Sequence, residues 1–377
     1  MSKTDKQAES QRYIRLLRYT VYFFIISGLV AGFLMGVVRK NASPEVKAII
    51  EWIFIIFENG IRSITTIIGF YLTVKYVKIS KGKISKFRLI SFASFSISFL
   101  FLYLILPFIL RFTEFYVALM PFPWASLPFQ APVTGAHLTV SLTKILDWNG
   151  VVITLWVFYI YQLIVLVGTV FLGRRWHCSM LCTFVGAHAE AFGEALPLIP
   201  HNKQRPRSKV VHPRMRTILF VFQIFMIVIC LALMVAWGIF FFTGTEIVPV
   251  RVLINIERIK YLVFELYLMI FFMLFIGARS YCYYCPAGTL LGVIGRIAGQ
   301  QITTGLTKCN GCGLCNDVCK MSIDIMSRAK AGKPVKSINC VGCGVCVETC
   351  PTGNLQFTTN FLKRYRSRKA RSLLKID

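Results

Sequence analysis

Histidine is scarce in this chain. Five occur in 377 residues, namely His137, His177, His188, His201 and His212, and each falls in a connection between long apolar runs. A bis-histidine haem needs rings that face one another inside a bundle. A c-type haem needs Cys-x2-Cys-His, which does not occur, so no haem is expected. No P-loop is present, which disfavours ATP-driven transport. Acidic residues are also few, 16 against 43 lysines and arginines, and the formal charge is +27. That charge does not point to nucleic acid, because no RNP, zinc-finger or helix-turn-helix pattern accompanies it.

Apolar residues, by contrast, make up 56% of the chain, and the mean hydropathy is +0.63. A soluble domain rarely reaches that level, so the bulk is expected to lie in membrane. Six apolar runs carry it, at about 19–38, 50–76, 89–110, 151–172, 217–242 and 260–278. The first follows a basic segment (Lys3, Lys6, Arg12, Arg15, Arg18) and lacks a small-x-small cleavage site. It reads as a retained anchor, not a signal peptide. The second is the least regular, because Glu51, Glu58 and Arg62 interrupt it.

Lysine and arginine crowd the N-terminus, the 75–88 loop, the 173–216 loop and everything after 279. The connections at 39–47, 111–148 and 243–260 hold fewer, and the aromatic one at 111–148 suits the outer membrane face. The positive-inside rule then predicts a polytopic α-helical membrane protein with about six transmembrane helices and both termini cytoplasmic, in the cytoplasmic (inner) membrane. The chain divides into a basic N-terminus (1–18), a transmembrane domain (19–299), a cysteine-rich domain (300–358) and a basic tail (359–377). The tail reads as a segment drawn to anionic lipid headgroups; docking of an acidic cytoplasmic electron donor is the sharper alternative.

The cysteine-rich domain is one unit used twice. Cys309, Cys312, Cys315 and Cys319 recur as Cys340, Cys343, Cys346 and Cys350. A cubane iron–sulfur cluster needs four thiolates, and a Cys-x2-Cys-x2-Cys comb supplies three of them, the fourth coming from the far end of the other repeat. Cys309, Cys312, Cys315 and Cys350 are therefore expected to hold one [4Fe-4S] cluster, and Cys340, Cys343, Cys346 and Cys319 the other. This is an α+β, bacterial-type two-cluster ferredoxin pattern. A zinc ribbon would pair two separated Cys-x2-Cys units and leave ligands unused. Disulfides do not suit a reducing cytoplasm. The bacterial pattern places proline after the fourth cysteine; Pro351 keeps it in the second repeat, and Lys320 replaces it in the first.

A second cysteine group closes spans four and six. Cys178 and Cys182 follow Arg175, and Cys282 and Cys285 follow Arg279, each pair leading to a small-residue turn at Gly186 or Gly288. Four thiols at two helix ends either ligate a third iron–sulfur or metal centre, form a redox-active dithiol pair, or merely pack. Helices ending in such pairs, followed by a two-cluster ferredoxin segment, resemble the NapH/NosR-type membrane ferredoxins and the related cupric-reductase-like proteins of oxidase assembly. The resemblance covers about residues 150–357. This chain departs from the membrane motif twice: Thr183 replaces the first proline, and the second pair is spaced Cys-x2-Cys. No Ser/Thr-Gly-Ala-Thr run occurs, so no covalent flavin is expected.

Glu265 is the clearest acid inside a predicted span, and such residues are functional candidates, here for quinol protons. It stands 17 residues before Cys282, roughly 25 Å along one helix. A position near the outer membrane face also allows simple snorkelling. The sequence therefore reads as an integral-membrane iron–sulfur protein, relaying electrons between quinol or a cytoplasmic donor and a partner. The resemblance implies a respiratory or periplasmic reductase within a larger redox complex. The alternative is an assembly or maturation factor that reduces a metal or a thiol for a membrane metalloenzyme.

Overall fold

The computed structural model describes residues 3–82, 84–107, 119–123, 148–199, 213–305 and 307–373. Most of the aromatic 111–148 connection, the basic stretch 200–212, and His137, His201 and His212 lie outside them. Helix α1 runs over Lys3–Gly36. Helix α2 begins with Pro44 at its first turn, covers Pro44–Ile55, widens through a π turn at Ile56–Ile61 and continues over Arg62–Lys81. Helix α3 covers Lys86–Phe99 and a π turn at Leu100–Ile105; the Ser85 side chain caps it by accepting from the Arg88 backbone N–H.

Helix α4 is Trp148–Leu172, and the short α5 is Gly186–Ala191. Helix α6 is Pro213–Thr243. Helix α7 covers Val250–Ile259, a π turn at Lys260–Tyr267, and Leu268–Phe275. Helix α8 is Pro286–Ile297. Strand β1 (Gln301–Thr303) pairs antiparallel with β2 (Gln356–Thr358), with Ile302 opposite Phe357. Helix α9, Asn360–Leu373, ends the described chain.

Among the described residues four helical stretches are long and apolar enough to cross a membrane: Thr4–Asn41, Pro44–Ser80, Lys86–Ile105 and Arg214–Phe240. Their surfaces are inverted relative to a soluble protein. Phe23, Phe33, Ile97, Phe220 and Val221 are more than half exposed, while Glu51, Glu58, Arg62 and Thr66 are buried. Gly28 and Gly32 of α1 let its neighbours approach closely: a Cβ at Gly28 would stand 3.0 Å from the Phe57 ring, and one at Gly32 2.8 Å from Leu266.

Three sequence expectations change. The charges at 51, 58 and 62 do not interrupt the second span, because each is paired: Arg39 with Glu51, and Arg62 with Glu58. Helix α7 begins ten residues before the predicted span, its polar first turns (Arg251, Glu257, Arg258) having hidden it from a hydropathy reading. The largest change concerns the segment after α4. It does not stay beyond the helix ends.

From Ser179 to Phe192 the chain turns back among the helices and returns. Its carbonyls are met by side chains from α2 and α3: Ser91 donates to Ser179, Ser94 to Met180 at 2.9 Å, and Thr73 to Ala191 at 2.6 Å. Non-helical backbone survives at such depth only when protein groups satisfy it. His188, expected in an inner loop, is buried in the bundle with Nδ1 2.7 Å from the Thr66 hydroxyl and Phe24 and Phe99 against its ring.

Candidate functional site

The C-terminal module starts from its glycines. Gly313 and Gly344 take φ of 77° and 76°, a region open to glycine, and start the short helices Leu314–Asp317 and Val345–Thr349. Each comb of three cysteines thereby wraps a small cavity. One is lined by Cys309, Cys312, Cys315 and Cys350, the other by Cys319, Cys340, Cys343 and Cys346. Each cavity thus takes three thiols from one repeat and one from the other. Apolar neighbours complete the walls, Met326 and Leu355 around the first, Ile302 and Phe357 around the second.

The two cavities differ in exposure. Cys312 is exposed, beside the exposed Lys308 and Lys330. Burial pushes the Cys340 thiol up to about 12 and Cys346 well above the ordinary range. Such thiols stay neutral until a metal displaces their protons. An all-thiol set in an apolar wall is the donor chemistry of a 4Fe-4S cluster. Among the described residues no three His, Cys, Asp or Glu side chains stand close enough to hold a single metal ion. A cubane would spread its four thiolates around a larger body than a single ion.

The second cysteine group is drawn together by two buried arginines. Arg174, four residues before Cys178, places Nε 3.3 Å from its sulfur and Nη2 3.4 Å from the Cys282 carbonyl. Arg279, three residues before Cys282, reaches the Cys178 carbonyl at 2.7 Å and lies 3.8 Å from the Cys282 sulfur. Both are about 1% exposed. Burial works against a Cys178 thiolate, but the Arg174 guanidinium and His177 outweigh it and bring the thiol down to about 6. Cys285 caps α8, its sulfur accepting from the Gly288 N–H at 3.3 Å; burial still pushes its thiol well up, with Cys282 adding to the effect. Arg175, the cation singled out from sequence, turns elsewhere: its guanidinium lies 3.5 Å from the Phe87 ring centre and 4.1 Å from that of Phe357.

The module is bolted to this group. Arg174 donates to the Ile338 carbonyl at 2.9 Å, the Ser179 hydroxyl to Val341 at 2.9 Å, and Gln300 to Cys340 at 2.6 Å. Lys320, which occupies the place of the missing proline, is buried. Its ammonium donates to Glu190 at 2.8 Å and to the Ala189 carbonyl at 3.1 Å. The other Glu190 oxygen takes Arg279 at 2.8 Å. Burial opposes the Glu190 carboxylate, yet Lys320, Arg279 and Arg88 hold it well below the usual carboxylate range. One buried acid therefore joins the residue after Cys319 to the arginine beside Cys282.

Glu265 is not snorkelling. It is 2% exposed and lies 3.7 Å from Lys260. Nor is it 25 Å from the cysteines. After α7 the chain folds back, and the Tyr284 hydroxyl donates to the Phe264 carbonyl at 3.2 Å. Tyr284 is next to Cys285, so the second pair and the Glu265 turn are separated by about one side chain. Glu190, Arg174 and Lys320 escaped the sequence reading as site residues; the i, i+4 and i, i+3 spacings of Arg174 and Arg279 from their cysteines were the available signal.

The model of the 4Fe-4S dicluster domain family matches residues 308–355. Over 101 residues, 26% of this chain, the sequence is 29% identical to the uncharacterized protein MJ0749 of Methanocaldococcus jannaschii. The match spans 37% of that relative's length. No solved structure matches. The C-terminal module is thus a ferredoxin-like iron–sulfur domain carrying at least one 4Fe-4S cluster, which supports a role in electron transfer.

Proposed function

We propose that this chain is a membrane electron relay of the NapH/NosR type, with six spans, both termini cytoplasmic and two [4Fe-4S] clusters in its module. Cys309, Cys312, Cys315 and Cys350 hold the outer cluster; Cys319, Cys340, Cys343 and Cys346 hold the inner one. Cys178, Cys182, Cys282 and Cys285 form a third redox site, from which electrons pass to or from quinone or a reductase partner. An acidic cytoplasmic donor meets the basic surface around Cys312.

The observation that carries this reading is the series. The solvent-facing cavity comes first, the second cavity next, and carbonyls in the loop of the second accept from the Ser179 hydroxyl and from Arg174, which also donates to the Cys178 sulfur. Anaerobically purified full chain is expected to hold about eight irons from the module, and Cys312→Ala to lose about half of them. Zinc in place of iron, with no visible chromophore, would sink the reading.

The Cys178 thiol, brought down to about 6, favours a second reading. At neutral pH it is largely a thiolate, the nucleophilic form, which suits reduction of a thiol or a metal ion during assembly of a partner enzyme. A specific metal-loading defect with normal respiration favours this second reading; reduction of quinone analogues favours the first.

A further inference from the structure

The three π turns belong to three different helices, yet they converge. Ile56–Ile61 of α2, Leu100–Ile105 of α3 and Lys260–Tyr267 of α7 meet around one buried ion pair. Such turns interrupt the regular ladder and are frequent at functional positions. Each contributes one polar group here. Glu58, 1% exposed, accepts from Arg62, 3% exposed. The Tyr261 hydroxyl donates to the other Glu58 oxygen at 2.6 Å. Arg62 lies between the rings of Tyr103 and Phe184, 5.4 and 5.3 Å from their centres, and reaches the Thr183 carbonyl at 3.4 Å. The Tyr103 hydroxyl is 2.7 Å from that of Thr183.

This network touches both cysteine pairs. Thr183 follows Cys182 directly, and Phe184 packs against Tyr281, the neighbour of Cys282, at 5.6 Å. Its other end leads away from the iron–sulfur module. Glu51 lies two turns before Glu58 on α2, about 10 Å away, and pairs with Arg39 in the 37–43 connection. Arg39 keeps contact with solvent, its side chain 22% accessible. The line from Arg39 to Thr183 consists of carboxylates, hydroxyls and guanidinia. These are groups that hold or pass protons, and none carries electrons.

We propose that Glu58 takes up a proton when the neighbouring cysteine group is reduced. An electron added inside a low-dielectric bundle is poorly screened, and a proton bound close by offsets its charge. The step balances as follows. One electron from the module would reduce an oxidised iron–sulfur centre that Cys178, Cys182, Cys282 and Cys285 would hold. Water at the Arg39–Glu51 end gives one proton, and the Glu58 carboxylate becomes a carboxyl group. The groups facing Glu58 are Arg62 on its own helix, Tyr103 on α3 and Tyr261 on α7. The Lys260–Glu265 pair lies on the same π turn as Tyr261, and His188 of α5 bonds Thr66 one turn beyond Arg62. Helix α1 brings the uncharged Phe24 and Gly28 to this turn.

The inference rests on reading the cysteine group as a redox site, and one experiment separates the two. Full-length protein in lipid nanodiscs is reduced electrochemically at several pH values while electrons per chain and infrared difference spectra are recorded. Wild type is expected to take up more electrons than its module holds and to gain a protonated-carboxyl band. The midpoint potential of the extra electron should fall with rising pH, one proton per electron. Glu58→Gln should remove the band and flatten that pH dependence, Glu58→Asp should restore a shifted band, and Glu265→Gln should leave it. Uptake limited to the module's electrons overturns both readings. Extra electrons with no carboxyl band, with a flat potential in wild type, or with a band lost in Glu265→Gln overturn this one alone.

Discussion

Two single residues show why departures from a motif repay physical attention. Thr183 and Lys320 each stand where the motif that the sequence resembles has proline, and each contributes a side-chain bond that proline lacks: Thr183 to Tyr103, Lys320 to Glu190. Both exchanges were plain in the sequence, but their partners were not, since Glu190 lies 130 residues from Lys320. Glu190 is buried between two cations, so removing its charge strands them. Glu190→Gln is expected to cost about 3 kcal/mol or more at neutral pH. The sign with pH follows from its depressed folded value. The stabilisation is complete above the ordinary carboxylate range, and it fades as pH falls from about 5 toward the lower folded value. Thermal unfolding in mild detergent should therefore show a gap between wild type and Glu190→Gln that closes on acidification. A gap that widens in acid would show that Glu190 is not ionised.

At the scale of elements, apolar length was the readable quantity. The four helices long and apolar enough to cross a membrane correspond to predicted spans one, two, three and five, because hydrophobic runs of that length have few other uses. The re-entrant segment was not readable. Residues 179–192 are too short and too rich in small residues to register as a span, and their depth depends on hydroxyls supplied by other helices. Ser91, Ser94, Thr66 and Thr73 were the faint signal, polar groups at positions where a lipid-facing helix would place none. Gly186 tests this packing. A Cβ there would stand 2.6 Å from the Cys178 carbonyl and 2.9 Å from the Cys182 Cβ. Gly186→Val should cost roughly 1–3 kcal/mol through overpacking and open the hairpin. Cys182 should then be alkylated several-fold faster by a small thiol reagent in apo protein, while a separate iron-loaded sample keeps the module's iron. Unchanged Cys182 reactivity would place the hairpin elsewhere.

For the molecule as a whole, the grouping of the eight module cysteines around two cavities was legible from spacing, while the placing of those cavities against Cys178 and Cys282 was not. The module packs on one end of the bundle, through Phe357 against Arg175 and Lys320 against Glu190, and the membrane cysteines hang just inside that end. Beyond them, toward the opposite end, Tyr103, Arg62, Glu58 and Glu51 are not redox ligands, and Cys230 of α6 is a single buried thiol. From Glu58 back to Pro44 is about 20 Å of helix at 1.5 Å per residue. On the proposed reading, electrons entering at Cys312 would reach Cys178 and Cys282 and find no further redox ligand pair among the described residues, while protons would come from the far end to meet them. Outward transfer would then need a partner subunit or a diffusing quinol. In tight proteoliposomes holding only this protein, module outward, an enclosed impermeant oxidant should stay oxidised when an impermeant reductant is added outside. A membrane-soluble quinone should release the block. Fast transfer without quinone across a non-leaky bilayer would mean that a further redox group lies between Glu58 and the far face.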